Sequence, residues 1–324
     1  MLRFLKYFCW LLLVVFIADR TIYFLINKVQ NATFRGIQGG KINHYLSLEQ
    51  PPTMLIMGPS NAAYQINPAN FKVSTYNLGH PDTEDAFQMA LLSIITGKQK
   101  LPKNILLHIN PYAYLGKHTN DVYASKSPLK LGYYYSKDEV VTKYINNIGI
   151  KERVKYFFKL SRYNNKVVGI AKDFAQTKIS GVYNNGFFAF DPSSKDSFNV
   201  ISEYRKVLEN AKPEFDSTDV IQTEKLKYLE EFVARCKQHN INLILFTLPY
   251  YPDVMKQRAD DMATRMVRNF STLHQLQYFD FRQTNLSLII NKPFYWKDMQ
   301  HLNALGSKLE SEYVSQVITP FLVN

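Results

Sequence analysis

The chain has 324 residues, of which 46% are hydrophobic and 20% are charged. These proportions are typical of a folded globular protein and exclude a disordered or collagen-like chain. Two cysteines are too few for a disulfide framework or a cysteine-rich zinc site. Lysine and arginine outnumber aspartate and glutamate by 39 to 27, but the basic residues are scattered. We therefore expect no nucleic-acid partner, and a basic face toward anionic lipid or an anionic envelope polymer is the alternative explanation of the charge.

The N-terminal residues 1–26 predict a membrane anchor. Tyr7–Ala18 is an uninterrupted apolar run, and after Asp19 and Arg20 the chain is apolar again to Ile26. A helix over residues 4–26 would be about 35 Å long, enough to cross a bilayer core with some tilt. A cleaved signal peptide or a buried core helix is the alternative, but no convincing small-x-small cleavage site lies near Ala18. The short basic N-terminus indicates export, so we expect a single-pass cell-membrane protein with its soluble domain outside the cytoplasm.

Residues 27–50 are polar and predict a juxtamembrane stalk, and residues 51–324 predict one α/β domain. In that domain short apolar strands alternate with amphipathic helices, which is typical of a doubly wound parallel sheet covered on both faces. A stretch at about 115–215 interrupts the alternation and is expected to be an insertion or a cap over the sheet. The predicted strands are Thr53–Met57, Ser74–Leu78, Asn104–Ile109, Asn242–Leu248 and Gln277–Phe281, and the predicted helices are Asp82–Thr96, Asp219–Gln238, Tyr251–Leu273 and Ala304–Phe321.

Candidate catalytic residues follow the predicted strands, because active groups of a doubly wound sheet lie at the carboxyl ends of its strands. Ser60, Gly79 and Asn110 follow the first three strands, and Asp298 and His301 precede the last helix. A serine hydroxyl becomes a nucleophile when a base takes its proton, and a histidine oriented by an aspartate can be that base. The backbone N–H groups of Ser60 and Gly79 and the side-chain amide of Asn110 are candidate oxyanion donors.

Each candidate also has a structural alternative. A serine after a strand is often a helix N-cap, and Asp298 could cap the last helix. His301 could be a packed histidine, Gly79 a turn glycine and Asn110 a turn residue before proline. These alternatives predict different hydrogen bonds for the same side chains, so the structure can distinguish them.

Four blocks in chain order resemble the pattern of the SGNH, or GDSL-like, hydrolase superfamily: Gly58-Pro59-Ser60, Gly79, His108-Ile109-Asn110 and Asp298–His301. The phrases Tyr76–Gly79 and Asp298–Gly306 resemble one branch of it, the membrane-anchored proteins of envelope-polymer acylation, which include those that assist alginate O-acetylation and teichoic-acid D-alanylation. The resemblance covers residues 53–110 and 225–322. It departs at Pro59, where the signature has aspartate, and at His108, where the asparagine block has glycine.

The resemblance implies a flavodoxin-like, SGNH-type fold and an exported, membrane-anchored esterase or O-acyltransferase. It would act through an acyl-Ser60 on a cell-envelope polysaccharide or a related acylated polymer, with His301 as base and Asp298 orienting it. The oxyanion hole would consist of Ser60, Gly79 and Asn110, and the chemistry requires no metal or organic cofactor. The alternative is a non-catalytic SGNH-fold partner of an integral-membrane acyltransferase, which the departures at Pro59 and His108 favour.

Overall fold

The computed structural model describes residues 2–117, 123–181, 185–193, 195–209, 219–251 and 262–323. Its strands are β1 (Met54–Met57), β2 (Thr75–Asn77), β3 (Asn104–His108), β4 (Leu115–Lys117), β5 (Asp219–Ile221), β6 (Asn242–Thr247) and β7 (Gln277–Asp280). Five of them form a parallel sheet in the order β2-β1-β3-β6-β7, and β4 pairs antiparallel with β5. The order of the five is that of flavodoxin-like doubly wound sheets. The predicted α/β class with a parallel sheet is confirmed.

Helices flank the sheet on both faces and extend from its edge. Within the described residues they are α1 (Leu2–Asn31), α2 (Lys41–Ser47), α3 (Ser60–Gln65), α4 (Asp85–Gly97), α5 (Glu139–Ile148), α6 (Ile150–Phe157), α7 (Val167–Ser180), α8 (Asp196–Glu209), α9 (Thr223–Gln238), α10 (Met262–His274), α11 (Leu286–Ile289) and α12 (Ala304–Ile318). Short helical turns connect several of these helices to the neighbouring strands.

The strands divide their side chains between two hydrophobic cores, because successive residues of a strand point to opposite faces. Leu55 and Met57 of β1 pack in the core formed with α4 and α9. Met54 and Ile56 pack in the core formed with α3 and α12. Burial on both faces explains why the strands appear in the sequence as continuous apolar runs.

The N-terminal region differs in part from the prediction. Among the described helices, α1 alone is long and apolar enough to span a membrane. Residues 27–50 do not form a stalk, because α1 continues to Asn31 and α2 buries Ile42 and Tyr45 in the core with α4. The polar composition of residues 27–50 predicted a stalk, although the spacing of three between Ile42 and Tyr45 puts them on one face of a helix.

The middle of the chain also departs from the predicted elements. The predicted helix at 219–238 starts later, at Thr223, because residues 219–221 form β5. The described part of the predicted helix at 251–273 is α10, and residues 252–261 lie outside the described residues. Within the predicted insertion, α5 buries Val141, Tyr144 and Ile145 in the core beside α4. This part of the insertion therefore contributes to the main hydrophobic core.

Candidate active site

The turn that carries His301 is built around the Asp298 carboxylate. Oδ1 of Asp298 accepts the backbone N–H groups of Gln300 at 2.7 Å and His301 at 2.8 Å. Nδ1 of the His301 ring lies 2.9 Å from Oδ2 of the same carboxylate. Burial raises the pKa of the Asp298 carboxyl, but the hydrogen bonds from His301 and Gln300 outweigh it and leave the pKa below its ordinary value. An ionised carboxylate only accepts hydrogen bonds, so Nδ1 carries the hydrogen and Nε2 is the acceptor.

Nε2 of His301 is buried and has no hydrogen-bond partner among the described residues. The ring lies between two aromatic side chains, with centroid distances of 5.8 Å to Tyr64 and 6.0 Å to Phe190. Tyr64 and Phe190 also contact each other, at 4.5 Å between ring centroids. A buried acceptor without a partner calls for an explanation, and a reacting hydroxyl is one.

Ser60 is the first residue of α3 and does not cap it. The N-cap position belongs to Pro59. Gly58 precedes it with φ of +140°, and a Cβ there would lie 2.7 Å from Cβ of His108, so this turn requires glycine. The Ser60 side chain is half-buried, and no hydrogen bond joins its hydroxyl to another described residue, His301 included.

Two amide side chains of α3 join Ser60's helix to the His301 turn. Nδ2 of Asn61 donates to the carbonyl of Gln300 at 2.8 Å, and Nε2 of Gln65 donates to the same oxygen. The residue after Ser60 therefore contacts the residue before His301. Sequence reasoning missed Asn61 and Gln65, although two amides four residues apart lie on one face of a helix and were a usable signal.

Gly79 brings the loop after β2 into close contact with α3. A Cβ on Gly79 would lie 2.6 Å from the backbone nitrogen of Ala63, so no other residue fits without moving α3. Its N–H donates to Oδ1 of Asn77 at 2.8 Å, and its carbonyl accepts from Nζ of Lys41 at 2.8 Å. The Gly79 N–H, a predicted oxyanion donor, is thus bonded within the protein in this structure.

Asn77 fastens α3 to β2. Its Nδ2 donates to the carbonyls of Ala62 at 2.7 Å and Ile66 at 2.8 Å, while its Oδ1 accepts the Gly79 N–H. Beside it, burial lowers the pKa of Lys41 to about 7. Neither side chain was a candidate, because Asn77 lies within a predicted strand and Lys41 within the predicted stalk.

Asn110 combines a structural contact with a free donor. Its Oδ1 accepts the Tyr112 N–H at 3.1 Å and so caps the short turn Pro111–Tyr114. Its Nδ2 donates to no described residue, so the oxyanion role remains open to that atom. Asn110 also lines a cavity of about 120 Å³ that begins at Pro59, next to Ser60.

Buried polar groups line that cavity. His108 has no hydrogen-bond partner on either ring nitrogen among the described residues, and burial, with the charge of Arg282, lowers its pKa to about 3. Asp85 accepts the Tyr114 hydroxyl, and burial raises the pKa of its carboxyl to about 6. A polar cavity of this size can hold a small ligand group or ordered water.

The helices α12 and α8 flank the Asp298–His301 turn. Asn303, not Asp298, caps α12, because its Oδ1 accepts the N–H groups of Leu305 and Gly306. On the other side, Asp196 of α8 forms a 2.9 Å ion pair with Lys297. The insertion therefore helps to hold the Asp298–His301 turn.

The structure and the comparisons with known proteins add no cofactor and no family. No three His, Cys, Asp or Glu side chains in the described ranges lie close enough to hold a metal ion. No protein-family model matches the chain, and no curated protein matches it either.

Proposed function

We propose that this protein is a membrane-anchored, exported SGNH-like esterase or O-acyltransferase that acts on a cell-envelope polysaccharide or a related acylated polymer. One observation carries the proposal. Asp298 holds Nδ1 of His301, and the opposite nitrogen of the ring is a buried acceptor without a partner. The ring packs against Tyr64, one helical turn after Ser60 on α3. An oriented imidazole with a free acceptor nitrogen, on a turn that contacts the helix of Ser60, supports the role of a general base for that hydroxyl.

In the first half-reaction, Oγ of Ser60 attacks the carbonyl carbon of an acyl ester while Nε2 of His301 takes the hydroxyl proton. The ester C–O bond then breaks, the acyl group stays on Ser60, and the imidazolium returns the proton to the departing alkoxide. The Asp298 carboxylate stabilises the imidazolium during this step. The free Nδ2 of Asn110 and the Ser60 N–H are the donors available to the oxyanion.

In the second half-reaction, water or a sugar hydroxyl attacks the acyl-Ser60. His301 takes the proton of the attacking group and returns it to Oγ of Ser60, which restores the enzyme. Water as the acceptor gives an esterase, and a polymer hydroxyl gives an acyltransferase. Neither half-reaction requires a metal or an organic cofactor.

Anchoring fits the proposed substrate. α1 is long and apolar enough to span the cell membrane, and the basic N-terminus before it favours an extracytoplasmic domain. The formal net charge of +12 suits an anionic envelope polymer or lipid surface.

One set of observations favours the non-catalytic alternative, an SGNH-fold partner of an integral-membrane acyltransferase. The Gly79 N–H is bonded to Asn77, and Oδ1 of Asn110 is bonded to the Tyr112 N–H. Gly79 could donate to the oxyanion only if its N–H exchanged its partner when substrate binds. A non-catalytic protein would keep these hydrogen bonds and bind polymer without cleaving it.

Labelling of the full chain in detergent by a fluorophosphonate, which phosphonylates activated serines with loss of fluoride, tests the proposal. We expect the wild-type chain to be labelled and the Ser60→Ala variant to be unlabelled. Ser74→Ala, which changes an exposed serine just before β2, is the matched control and should label like the wild type. A wild-type chain that neither labels nor hydrolyses short acyl esters would favour the non-catalytic alternative.

A further inference from the structure

The helix α6 turns an apolar face outward. Ile150, Val154 and Phe157 recur at a helical spacing of four and three, which puts them on one face. They are 71%, 59% and 61% exposed, whereas the Tyr156 side chain on the opposite side is buried in the main core. A contiguous exposed apolar face of this kind marks a surface that contacts a partner or a membrane.

The end of α6 and the residues after it are fixed to α1 by direct contacts with Asp19 and Arg20. The buried Asp19 carboxylate accepts the backbone N–H groups of Lys159 at 3.0 Å and Leu160 at 2.8 Å. The Arg20 guanidinium lies 5.9 Å from the ring centre of Phe157. These contacts place the Phe157 end of α6 beside residues 19–20 of the anchor.

Those two residues lie inside the span that a bilayer requires. A hydrocarbon core of about 30 Å needs about 20 helical residues, so a span that starts at Phe4 ends near Tyr23. Asp19 is then about 6 Å inside that end. The segment of that span before Asp19, residues 4–18, would cover only about 22 Å by itself. The apolar surface of α1 is interrupted at Asp19, and the exposed Phe157 side chain at the end of α6 lies at that level.

The chemistry around this surface suits lipid. Lys151 and Arg153 are exposed beside the apolar face, where they can meet anionic headgroups. A groove of about 840 Å³ lies between α1 and the segment after α6. Its apolar lining includes Val15, Ile22, Ile26, Phe158 and Val167.

We propose that α6 is an interfacial helix that inserts Ile150, Val154 and Phe157 into the leaflet on the domain's side of the membrane. The helix would hold the domain flat against the bilayer, with the His301 turn at a fixed height above it. This inference rests on α1 spanning the membrane, as the proposed function has it, but not on the chemistry of Ser60.

Depth-dependent quenching in vesicles tests the proposal. The full chain is reconstituted in phosphatidylcholine–phosphatidylglycerol vesicles with a single cysteine that carries a nitrobenzoxadiazole label, and doxyl-labelled lipids quench the label. Both native cysteines are free, so Cys9 with Cys236→Ala reports on α1 itself. Phe157→Cys, made with Cys9→Ser and Cys236→Ala, reports on α6.

Ile179→Cys in the same cysteine-free background is the matched control. Ile179 is 83% exposed, but it lies at the end of α7, where Thr177 bonds the backbone of Phe34 beyond the end of α1. We expect strong quenching at positions 9 and 157 and weak quenching at 179. Quenching at 157 as weak as at 179, with Cys9 quenched, would overturn the interfacial helix and leave the anchor intact. An unquenched Cys9 would show that α1 does not span the membrane. It would overturn both the interfacial helix and the membrane anchor, whatever the fluorophosphonate labelling of Ser60 shows.

Discussion

The His301 turn and the loops that face it at the edge of the sheet differ in how their polar groups are used. In the turn, the Asp298 carboxylate binds two backbone N–H groups and Nδ1 of His301, and Nε2 is left without a partner. In the loops after β2 and β3, the Gly79 N–H is bound by Asn77 and Oδ1 of Asn110 is bound by the Tyr112 N–H.

The difference concerns preorganisation. The base half of the candidate site is held in one geometry before any substrate binds, which is what general-base catalysis requires. The oxyanion half stabilises α3 and a loop, so it would act through the free Nδ2 of Asn110 or through a rearrangement at Gly79. Variants that separate these two halves distinguish an enzyme from a non-catalytic partner.

The largest effect is expected from removing the nucleophile or the base. Ser60→Ala and His301→Ala should each lower kcat for a short acyl ester by about 10⁵-fold, since each removes a member of one relay. The double variant should be little worse than either single variant, because the two groups act as a unit. Single losses that multiply in the double variant, or a His301→Ala chain with wild-type turnover, would refute the relay.

Asp298→Asn should have the next largest effect, a loss of about 10⁴-fold in kcat. The asparagine oxygen can still accept the two backbone N–H groups of the turn, but its amide no longer favours the tautomer with hydrogen on Nδ1. The turn should therefore survive, and the midpoint of urea unfolding should stay close to that of the wild type. A variant that unfolds early would assign Asp298 a structural role only.

Asn110→Asp tests the oxyanion half with the cap retained. Aspartate can still accept the Tyr112 N–H but cannot donate as Nδ2 does. We expect a loss of about 10²-fold in kcat with little change in KM, because an oxyanion donor acts mainly in the transition state. Unchanged kcat would show that Asn110 serves only the turn Pro111–Tyr114.

Asn77→Ala should act on stability. It removes the bonds to the carbonyls of Ala62 in α3 and of Ile66 just after α3, and also the acceptor of the Gly79 N–H. The expected cost is about 2 kcal/mol in the free energy of unfolding. Urea unfolding of the full chain in detergent, followed by circular dichroism, measures this cost. Ser74→Ala, near the start of β2, is the control and should leave the unfolding midpoint unchanged; an equally unchanged midpoint for Asn77→Ala would contradict the role of Asn77 in fastening α3.

His108→Leu should have the smallest effect, visible as a change in pH dependence. Burial lowers the folded-state pKa of His108 to about 3, so between pH 6.5 and 3 the unfolded chain binds a proton that the folded chain does not. This histidine therefore makes the free energy of unfolding fall as the pH falls through that window, by about 1.4 kcal/mol per pH unit at most.

The variant should show a shallower acid slope than the wild type, with similar stability near pH 8. Burial also lowers the pKa of His80 to about 3, so His80 makes the free energy of unfolding fall with pH in the same way in both chains. Burial raises the pKa of the Asp85 carboxyl to about 6. Asp85 therefore opposes the fall in the free energy of unfolding between about pH 6 and 4 in both chains. Identical slopes for variant and wild type would contradict a neutral, buried His108.

The sequence alone was enough to predict that strands and helices alternate. It was also enough to identify the candidate residues that follow the strands. Short apolar runs can be recognised locally, because a strand buried on both faces has no polar positions. The three-residue spacing of Asp298 and His301 also predicted their contact, since both belong to one turn. Whether Ser60 and His301 react together stays a prediction.

Only the tertiary structure decided which polar groups remain free. Asn77 and Lys41 bond to partners far away in the chain, and no local pattern reveals such partners. The spacing of Asn61 and Gln65 could indicate that the two amides share a helix face, but not that both bind the Gln300 carbonyl. The same holds for residues 27–50, where a few buried side chains outweighed a polar composition. Apolar periodicity is a property of neighbouring residues, whereas the satisfaction of a buried hydrogen-bonding group depends on what the whole fold brings to it.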